Sequence, residues 1–404
     1  MSRESKYVII GGGIAGVSAA EAVHAQDPEG KIVLISKEEE SPYSRMALTR
    51  FMAGEVKREK LPLHQQDWYA EDNVDLILGA VVEGIDRENR NVRLADGRSF
   101  AYDKLVLASG ASPFIPPFPG KDLQGVMALR TLADAEYVLD CCCEPIQVVV
   151  IGGGLLGLEM AGAISRTGAK VTIIETFDWL LPRQLDPPGG NLLQARIEAM
   201  GMSVITGGKT KGMLADENGK VRAVQMEDGT ELPADLVLVS TGVRPNLELA
   251  KAAGLETNKG LLVDDRMATS DPHIFAAGDL TEHKGVLYGL WQPAKTQGDV
   301  AGTNAAGGQA AFEGVPPSAM LKVLGIDLFS IGQIAANDAA DKVMAKEVDG
   351  NYSSYTLRDG KLIGAILFGE AGLSGKVKKA MDAERAFSAE ESASLESLEA
   401  ALRA

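Results

Sequence analysis

Cysteine is scarce in this chain and unsuited by its spacing to most of the chemistry that cysteine supports. The 404 residues contain three cysteines, and they are adjacent: Cys141, Cys142 and Cys143. Disulfide frameworks and cysteine-based metal sites need cysteines that are spaced along the chain. The sequence therefore predicts no metal site and no disulfide scaffold, and it favours a reduced, cytoplasmic protein.

An excess of basic charge and long apolar runs are also absent. Lys and Arg number 40 against 56 Asp and Glu, which gives a formal net charge of −16. This charge argues against nucleic acid and anionic membranes as partners. The polar residues 1–6 lead into an apolar run that is too short for a signal-peptide core, and no run approaches the length of a membrane span.

Glycine is abundant, and part of it forms two matching motifs. A short apolar run precedes Gly-x-Gly-x-x-Gly at residues 11–16 and again at residues 152–157, and a helical pattern follows each. In a strand–turn–helix unit the first glycine permits the tight turn, the second lets the backbone approach a pyrophosphate, and the third lets the helix pack on the strand. The phosphates then bind unpaired amides at the helix N-terminus. Two such motifs predict two nucleotide-binding units.

Each unit continues into a second strand that ends near a carboxylate. A carboxylate at this point typically binds a ribose hydroxyl of a dinucleotide. In the first unit Glu38 is the nearest acid after the strand at residues 31–35, although a solvated charge is the alternative. In the second unit Glu175 directly follows the strand at residues 170–174. A carboxylate there also repels a 2′-phosphate.

The two units share hairpin turns, Asp96-Gly97 and Asp228-Gly229, each followed by an apolar strand that ends at a serine and a glycine. From residue 312 onward the pattern changes to short strands and then to a helical tail over residues 376–404. The sequence predicts an α/β protein with two Rossmann-like dinucleotide-binding domains and a small α+β C-terminal domain, whose tail is a surface helix.

The two glycine turns, the serine–glycine strand ends and the segment Ala277-Gly278-Asp279 together resemble the pyridine nucleotide–disulfide oxidoreductases over roughly residues 7–310. The resemblance implies that the first turn binds FAD and that the second binds NAD(P)H, with NADH favoured by Glu175. It implies a split FAD-binding domain. The implied segments are residues 1–115 for FAD, 116–245 for NAD, 246–310 for FAD again and 311–404 for the C-terminal domain.

Within this family the motif Pro-Tyr-x-Arg-x-x-Leu at residues 42–48 resembles rubredoxin reductases, ferredoxin reductases and the N-terminal part of nitrite reductase large subunits. Residues 321–332 resemble the C-terminal domain of rubredoxin and nitrite reductases. Thiol-dependent family members carry cysteine near the first of these segments, whereas this chain has none between Ser36 and Arg50. A thiolate or sulfenic acid from that segment therefore cannot take part.

The resemblance also carries site residues over to this chain. Arg50 stands where related iron–sulfur reductases often have Lys near the flavin, and Glu159 matches a position that faces the nicotinamide; these are the predicted catalytic residues. A helix-start charge is the alternative for Glu159, and a core aromatic is the alternative for Trp291. The predicted cofactor-binding residues are Gly11, Gly13, Ala15, Gly16, Glu38, Arg45, Arg50, Val82, Ser109, Gly110, Arg130, Gly152, Gly154, Gly157, Glu159, Glu175, Gly242, Asp279, Trp291 and Gln292.

The implied function is an FAD-dependent NADH oxidoreductase that passes electrons to a small carrier such as rubredoxin, a ferredoxin or a flavodoxin-like protein. The alternatives are an NADH oxidase, a ferredoxin reductase, a nitrite-reductase-related electron-transfer component, and a binding or signalling flavoprotein. The carrier is expected to dock on basic residues around the flavin-edge segment: Arg45, Arg50, Lys57, Arg58 and Lys60. A solvated surface run is the alternative, and the oligomeric state stays open.

Overall fold

The computed structural model describes residues 2–144, 146–315 and 318–404, and the chain divides into two compact units. The first contains the described residues of Met1–Phe114, Arg130–Leu132 and Gly242–Gly314. The second contains those of Ile115–Leu129, Ala133–Thr241 and Val315–Ala404. The first unit is discontinuous in sequence. The second holds both the expected NAD-binding segment and the expected C-terminal segment, and the boundary between these two stays a prediction.

The strands are numbered in chain order. The first fifteen are β1 (Ser2–Ile10), β2 (Ile32–Ile35), β3 (Val74–Ile77), β4 (Val82–Asp86), β5 (Asn91–Leu94), β6 (Ser99–Leu107), β7 (Ala111–Pro113), β8 (Val126–Met127), β9 (Gln147–Ile151), β10 (Lys170–Ile174), β11 (Ser203–Ile205), β12 (Thr210–Ala215), β13 (Val221–Met226), β14 (Glu231–Pro233) and β15 (Leu236–Val239). The others are β16 (Val243–Pro245), β17 (Leu261–Val263), β18 (Ile274–Ala276), β19 (Thr281–His283), β20 (Ser318–Val323), β21 (Ile326–Gly332), β22 (Lys342–Val348), β23 (Asn351–Arg358) and β24 (Lys361–Phe368).

The α-helices are α1 (Ile14–Gln26), α2 (Leu48–Met52), α3 (Gln66–Glu71), α4 (Leu132–Cys141), α5 (Leu155–Ser165), α6 (Pro187–Ala199), α7 (Glu248–Ala252), α8 (Trp291–Ala305), α9 (Ser374–Asp382) and α10 (Leu395–Arg403). Two 3-10 turns lie at Arg45–Ala47 and Arg58–Lys60. Within the described ranges, no helix combines the length and apolar composition that a bilayer span requires.

The first unit is built on a sheet with the strand order β3-β2-β1-β6-β5-β4, in which β18 also pairs with β6. Strands β1, β2, β3, β6 and β18 are parallel, whereas β4 and β5 join in antiparallel fashion. Residues 8–10 of β1, residues 105–107 of β6 and all of β2 and β18 are apolar, because parallel strands at the centre of such a sheet are buried on both faces. Ile9, Leu34 and Leu105 accordingly have no exposed surface.

Helices α1 and α8 of this unit pack backbone to backbone. A Cβ added to Gly298 would lie 2.3 Å from the carbonyl oxygen of Ala15, and one added to Gly302 would lie 2.2 Å from that of Ala19. Only glycine permits so close an approach. Helix α8 belongs to the last of the three sequence segments of the unit, so this contact joins the first segment to the last.

The second unit repeats the same plan. Strand β9, the glycine turn, α5 and β10 follow one another as β1, the first glycine turn, α1 and β2 do. The parallel sheet has the order β11-β10-β9-β15-β8, and β12, β13 and β14 form a separate antiparallel sheet. The predicted α/β class with two Rossmann-like domains is confirmed.

The C-terminal part of the second unit is an antiparallel sheet of order β20-β21-β24-β23-β22 with helices α9 and α10. The prediction of one surface helix over residues 376–404 is wrong. Glu384 takes a left-handed conformation (φ 47°) just after α9, and Ser394 caps a second helix by accepting from the Ser397 amide at 3.1 Å. Leucines of α10 are buried in the core of this domain: Leu395, Leu398 and Leu402.

Candidate dinucleotide-binding sites

The first glycine turn, between β1 and α1, has room only for glycine at two positions. Gly11 has φ 125°, and a Cβ there would lie 2.1 Å from the carbonyl oxygen of Ala108. A Cβ on Gly16 would lie 1.9 Å from the carbonyl oxygen of Gly11. Gly13, by contrast, has nothing within 4 Å of its Cβ position, and it begins α1 without a side-chain cap. The space beside Gly13 is therefore open and no side chain caps the first-turn amides, which suits an anionic phosphate.

The second glycine turn, between β9 and α5, has the same geometry. Gly152 has φ 116°, and its Cβ would lie 2.2 Å from the carbonyl oxygen of Ser240. A Cβ on Gly157 would lie 2.0 Å from the carbonyl oxygen of Gly152. Gly154 is open within 4 Å and begins α5 without a side-chain cap. The chain thus presents two phosphate cradles of one design.

A cavity of about 520 Å³ adjoins the first turn. The predicted residues that line it are Gly11, Gly13, Glu38, Arg45, Val82, Ser109, Gly110 and Arg130. The predicted first-unit residues outside its lining are Ala15, Gly16, Arg50, Gly242, Asp279, Trp291 and Gln292. The structure therefore brings one group of the predicted ligands to a single cavity, and the roles of all of them stay predictions.

The carboxylate of Glu38 is held at this cavity by two side chains. Arg45 forms an ion pair with Oε1, and the hydroxyl of Tyr43 donates to Oε2 at 2.6 Å. Arg45 also donates from Nη1 to the carbonyl oxygen of Arg130 at 2.8 Å. The acid predicted to bind a ribose is therefore fixed at this cavity, and Tyr43, which sequence reasoning did not select, holds it in place.

A second guanidinium group lies near the first. Burial and the neighbouring charge of Arg45 lower the pKa of Arg130, although Arg130 pairs with Asp279 at 3.4 Å. Two cationic side chains at one cavity repel each other, and a bound anion relieves that repulsion. Together with the open amides after Gly13, this arrangement fits a pyrophosphate-bearing cofactor such as FAD.

Hydrogen bonds from the turn that carries Asp279 to the buried side chain of Gln297 hold this turn in place. This side chain is 1% exposed, and its Oε1 accepts the amide of Gly278 at 2.8 Å and the hydroxyl of Thr281 at 3.0 Å. The hydroxyl of Thr281 also donates to the carbonyl oxygen of Gly278 at 2.8 Å. Nothing in the local sequence distinguishes Gln297 from a solvated helical glutamine, so sequence reasoning missed it.

The remaining predicted residues of the first unit lie at helix ends or on the surface. Helix α8 begins at Trp291, so Trp291 and Gln292 both lie in its first turn. Trp291 is half-buried, and its indole N–H has no partner among the described residues. Arg50 has a side chain 60% exposed and pairs with Glu55 at 3.4 Å.

In the second unit, Glu175 is turned inward. Its Oε2 accepts the amide of Gly153 at 2.7 Å, its Oε1 accepts the amide of Phe177 at 2.9 Å, and the residue is 7% exposed. The backbone equivalent of Glu38 is Phe177, since Gly207 donates to the carbonyl oxygen of Phe177 as Gly79 does to that of Glu38. Glu175 thus braces the glycine turn from within, and its role as a ribose ligand stays a prediction.

Glu159 and Gly242, which are also predicted to bind a cofactor, each accept a backbone amide. Oε1 of Glu159 accepts the amide of Leu324 at 2.9 Å. Gly242 has φ 103°, and its carbonyl oxygen accepts the amide of Phe114 at 2.9 Å. Only a glycine adopts that conformation without strain.

The cysteines lie at the end of α4. Cys142 is buried, Cys143 is exposed and Cys141 is intermediate, and burial raises the pKa of the Cys142 thiol. In the parts of the chain that the structure describes, no cluster of His, Cys, Asp or Glu could hold a metal ion.

Comparison with protein families matches residues 5–298 to the model described as pyridine nucleotide-disulphide oxidoreductase. The chain belongs to this family. Residues 317–385 match a second model, the rubredoxin NAD+ reductase C-terminal domain. The family uses FAD and NAD(H), in accord with the two phosphate cradles.

Individual family members cover the chain to different extents. It is 32% identical to NADH-rubredoxin oxidoreductase of Clostridium acetobutylicum over 385 residues, which is 95% of this chain and 96% of that protein. It is 36% identical to nitrite reductase [NAD(P)H] of Bacillus subtilis over 91% of this chain and 46% of that protein. The chain thus spans about half the length of the nitrite reductase. A solved putidaredoxin reductase–putidaredoxin complex matches with a TM-score of 0.86, 29% identity and 99% coverage of both chains.

Proposed function

We propose that this protein is an FAD-dependent NADH oxidoreductase that passes electrons to a small one-electron carrier protein, with rubredoxin as the first candidate. The observation that carries the proposal is the pair of glycine turns of one geometry in a single chain. Two cradles allow an electron-donating dinucleotide and a resident flavin dinucleotide to be held by separate domains. The near-complete overlap with the clostridial rubredoxin oxidoreductase supports the choice of carrier.

When bound, FAD supplies the exchange of a two-electron hydride for single electrons, and the protein supplies binding, orientation and electrostatics. In this proposal Glu38 accepts a ribose hydroxyl, and Arg45 and Arg130 neutralise the pyrophosphate together with the amides after Gly13. Asp279, oriented by Arg130, accepts from the ribityl chain.

For the nicotinamide dinucleotide, we propose a preference for NADH. The carboxylate of Glu175 accepts the Gly153 amide of the second turn, and its negative charge there would repel a 2′-phosphate. The nearest basic residue after it in sequence, Arg183, lies eight positions further on (183 − 175 = 8) and is exposed. The chain has no cysteine between Ser36 and Arg50, so a thiol from that segment plays no part in the electron path.

The decisive experiment is the NADH-driven reduction of a panel of rubredoxins, ferredoxins and flavodoxin-like proteins, with the FAD content measured after denaturation. We expect a yellow protein that releases FAD and reduces at least one rubredoxin much faster than it reduces dioxygen. Release of FMN would contradict the cofactor assignment. Peroxide formation at a rate equal to carrier reduction would favour an NADH oxidase instead.

A second candidate follows from the match to nitrite reductase. The chain would then serve as the NADH-accepting component of a nitrite-reducing system, because it aligns over 91% of its own length with about half of that enzyme. The two candidates differ in the acceptor, since this one requires electron delivery to a separate nitrite-reducing protein rather than to rubredoxin.

A further inference from the structure

The turn between β20 and β21 lies against helix α5 of the second Rossmann-like domain. The backbone N–H of Leu324 donates to Oε1 of Glu159 at 2.9 Å. Three residues further along α5, a Cβ added to Gly162 would lie 2.0 Å from Cδ2 of Leu324. Residues three apart share one face of a helix. Leu324 therefore fills the recess at Gly162 with its side chain and reaches the carboxylate of Glu159 with its amide.

Leu324 has a backbone conformation that leucine rarely takes, with φ 51°. Two-residue hairpin turns of this kind favour Asn, Asp or Gly at their first position. The hairpin turns at Asp349-Gly350 and Asp359-Gly360 of the same sheet follow that preference. A strained residue persists where its surroundings fix it, and such residues cluster at functional sites. The recess at Gly162 and the bond to Glu159 are what fix Leu324.

The C-terminal sheet is also attached to helix α6. The hydroxyl of Tyr352 donates to Oδ2 of Asp186, the residue that caps α6, at 2.5 Å. Arg196 of the same helix donates to the carbonyl oxygen of Gly350 at 2.9 Å. These polar contacts lie away from α5, so the sheet is held to the domain at two helices and the Leu324 turn has a defined position.

We propose that the Leu324–Gly325 turn is a positioning element for Glu159, through which the C-terminal domain sets how the nicotinamide dinucleotide is bound. The inference rests on the proposed function. Glu159 lies one helical turn after Leu155, the first residue of α5, and thus close to the second phosphate cradle. An amide donor holds the carboxylate in one orientation, and a preorganised group binds its ligand without the entropic cost of being ordered.

The test exchanges the two residues that interlock. In Gly162→Leu the new side chain occupies the recess and moves the turn away from Glu159. In Leu324→Gly the amide donor remains and φ 51° suits the new residue. In the double exchange Gly162→Leu with Leu324→Gly, the new leucine of α5 fills the space that the Leu324 side chain occupies in the parent protein. Calorimetry of NAD+ binding to each FAD-loaded protein gives the dissociation constant without requiring turnover, and thermal unfolding is followed in parallel.

We expect Gly162→Leu to weaken NAD+ binding about tenfold, the scale of one lost hydrogen bond to a charged group. Leu324→Gly should bind NAD+ as the parent protein does, and the double exchange should recover most of the affinity. FAD content should be the same in all variants. In steady-state assays KM for NADH should rise in Gly162→Leu more than kcat falls.

Unchanged NAD+ affinity in Gly162→Leu, with a lower unfolding temperature, would overturn the proposal. The contact between Leu324 and α5 would then contribute to stability but not to NAD+ binding. If Gly162→Leu does not fold, Gly162→Val makes the same comparison, because its smaller side chain still fills the recess and moves the turn away from Glu159. Failure of the proposed function is distinguishable, because the parent protein itself would then bind no NAD+ or reduce no carrier.

Discussion

The hydroxyl of Tyr43 donates to Oε2 of Glu38 at 2.6 Å and accepts the amide of Leu132 at 2.8 Å. Tyr43 is 5% exposed, and this burial raises its pKa, so the phenol stays protonated and remains a donor at neutral pH. One buried hydroxyl therefore joins the acid of the first cavity to the segment Arg130–Leu132, which returns to the first unit from a distant part of the sequence.

Tyr43→Phe should weaken FAD binding. It removes one bond to Glu38 and leaves the Leu132 amide without an acceptor in a buried place, a loss of about 1–3 kcal/mol. The dissociation constant is measured by titrating apoprotein with FAD and following flavin fluorescence. Tyr137→Phe, at a residue 42% exposed, is the matched control. Equal FAD affinity in the two variants would show that Tyr43 does not order the site.

Glu175→Ala should have two effects of similar size. The amides of Gly153, which is buried, and of Phe177 lose their acceptor, so the free energy of unfolding should fall by about 1–3 kcal/mol. NADH binding should weaken on the same scale, because a carboxylate is lost from the turn. Urea unfolding and kcat/KM for NADH and NADPH measure both. A higher kcat/KM for NADPH than for NADH in the parent protein would contradict the proposed preference.

The ion pair of Arg87 with Asp271 should make stability depend on acid pH. Burial alone raises the pKa of Asp271, but the bonds from Arg87 at 2.7 Å and from the His273 amide at 2.9 Å outweigh it, and the pKa is lowered. A carboxyl group with a lowered folded-state pKa stabilises the protein above its unfolded pKa of about 4 and loses that contribution as the pH falls through the folded pKa.

Arg87→Met should therefore lose about 1.5–3 kcal/mol at pH 7, and the difference from the parent protein should shrink below about pH 4. Urea unfolding at a series of pH values checks this. Arg98→Met, which breaks an exposed pair with Asp96, is the control and should change little. If the stability difference between Arg87→Met and the parent protein stayed constant down to the lowest pH, the pKa of Asp271 would not differ between the folded and unfolded states.

The basic segment beyond the first cavity is partly neutralised. Arg58 pairs with Glu40 at 2.8 Å, whereas Lys57 and Lys60 are exposed. Changing Lys57, Arg58 and Lys60 to Glu should slow carrier reduction, most strongly at low salt, because an acidic protein needs a local basic patch to attract an acidic carrier. Reduction of the flavin by NADH should hardly change.

The charge-matched control changes Lys209, Lys211 and Lys220 to Glu. These exposed residues belong to the β12–β13 hairpin or border it. Stopped-flow rates with one rubredoxin at several ionic strengths compare the two triple variants. Identical salt dependence in both would rule out residues 57–60 as the docking site.

The sequence was sufficient to predict the features that depend on residues close together in the chain. In both Rossmann-like domains the first apolar strand, the glycine turn and the helix after it lie where their pattern indicates, because glycine spacing and strand hydrophobicity act within a few residues. The inward turn of Glu175 and the role of Gln297 could not be predicted, since both depend on backbone groups that come close only when the sheet has formed. The error in the C-terminal tail was avoidable: leucines at 395, 398 and 402 repeat at helical spacing and indicate a buried face.

The close contact between α1 and α8 also bears on how the chain is made. Helix α1 is synthesised early. The glycines of α8 that pack against its backbone, Gly298 and Gly302, emerge from the ribosome only after the whole of residues 115–241. The second Rossmann-like domain therefore has its strands complete while the first still lacks β18 and α8. A nascent chain halted before Trp291 exposes the small-residue face of α1, so chaperone binding and proteolysis should concentrate on the N-terminal half during translation.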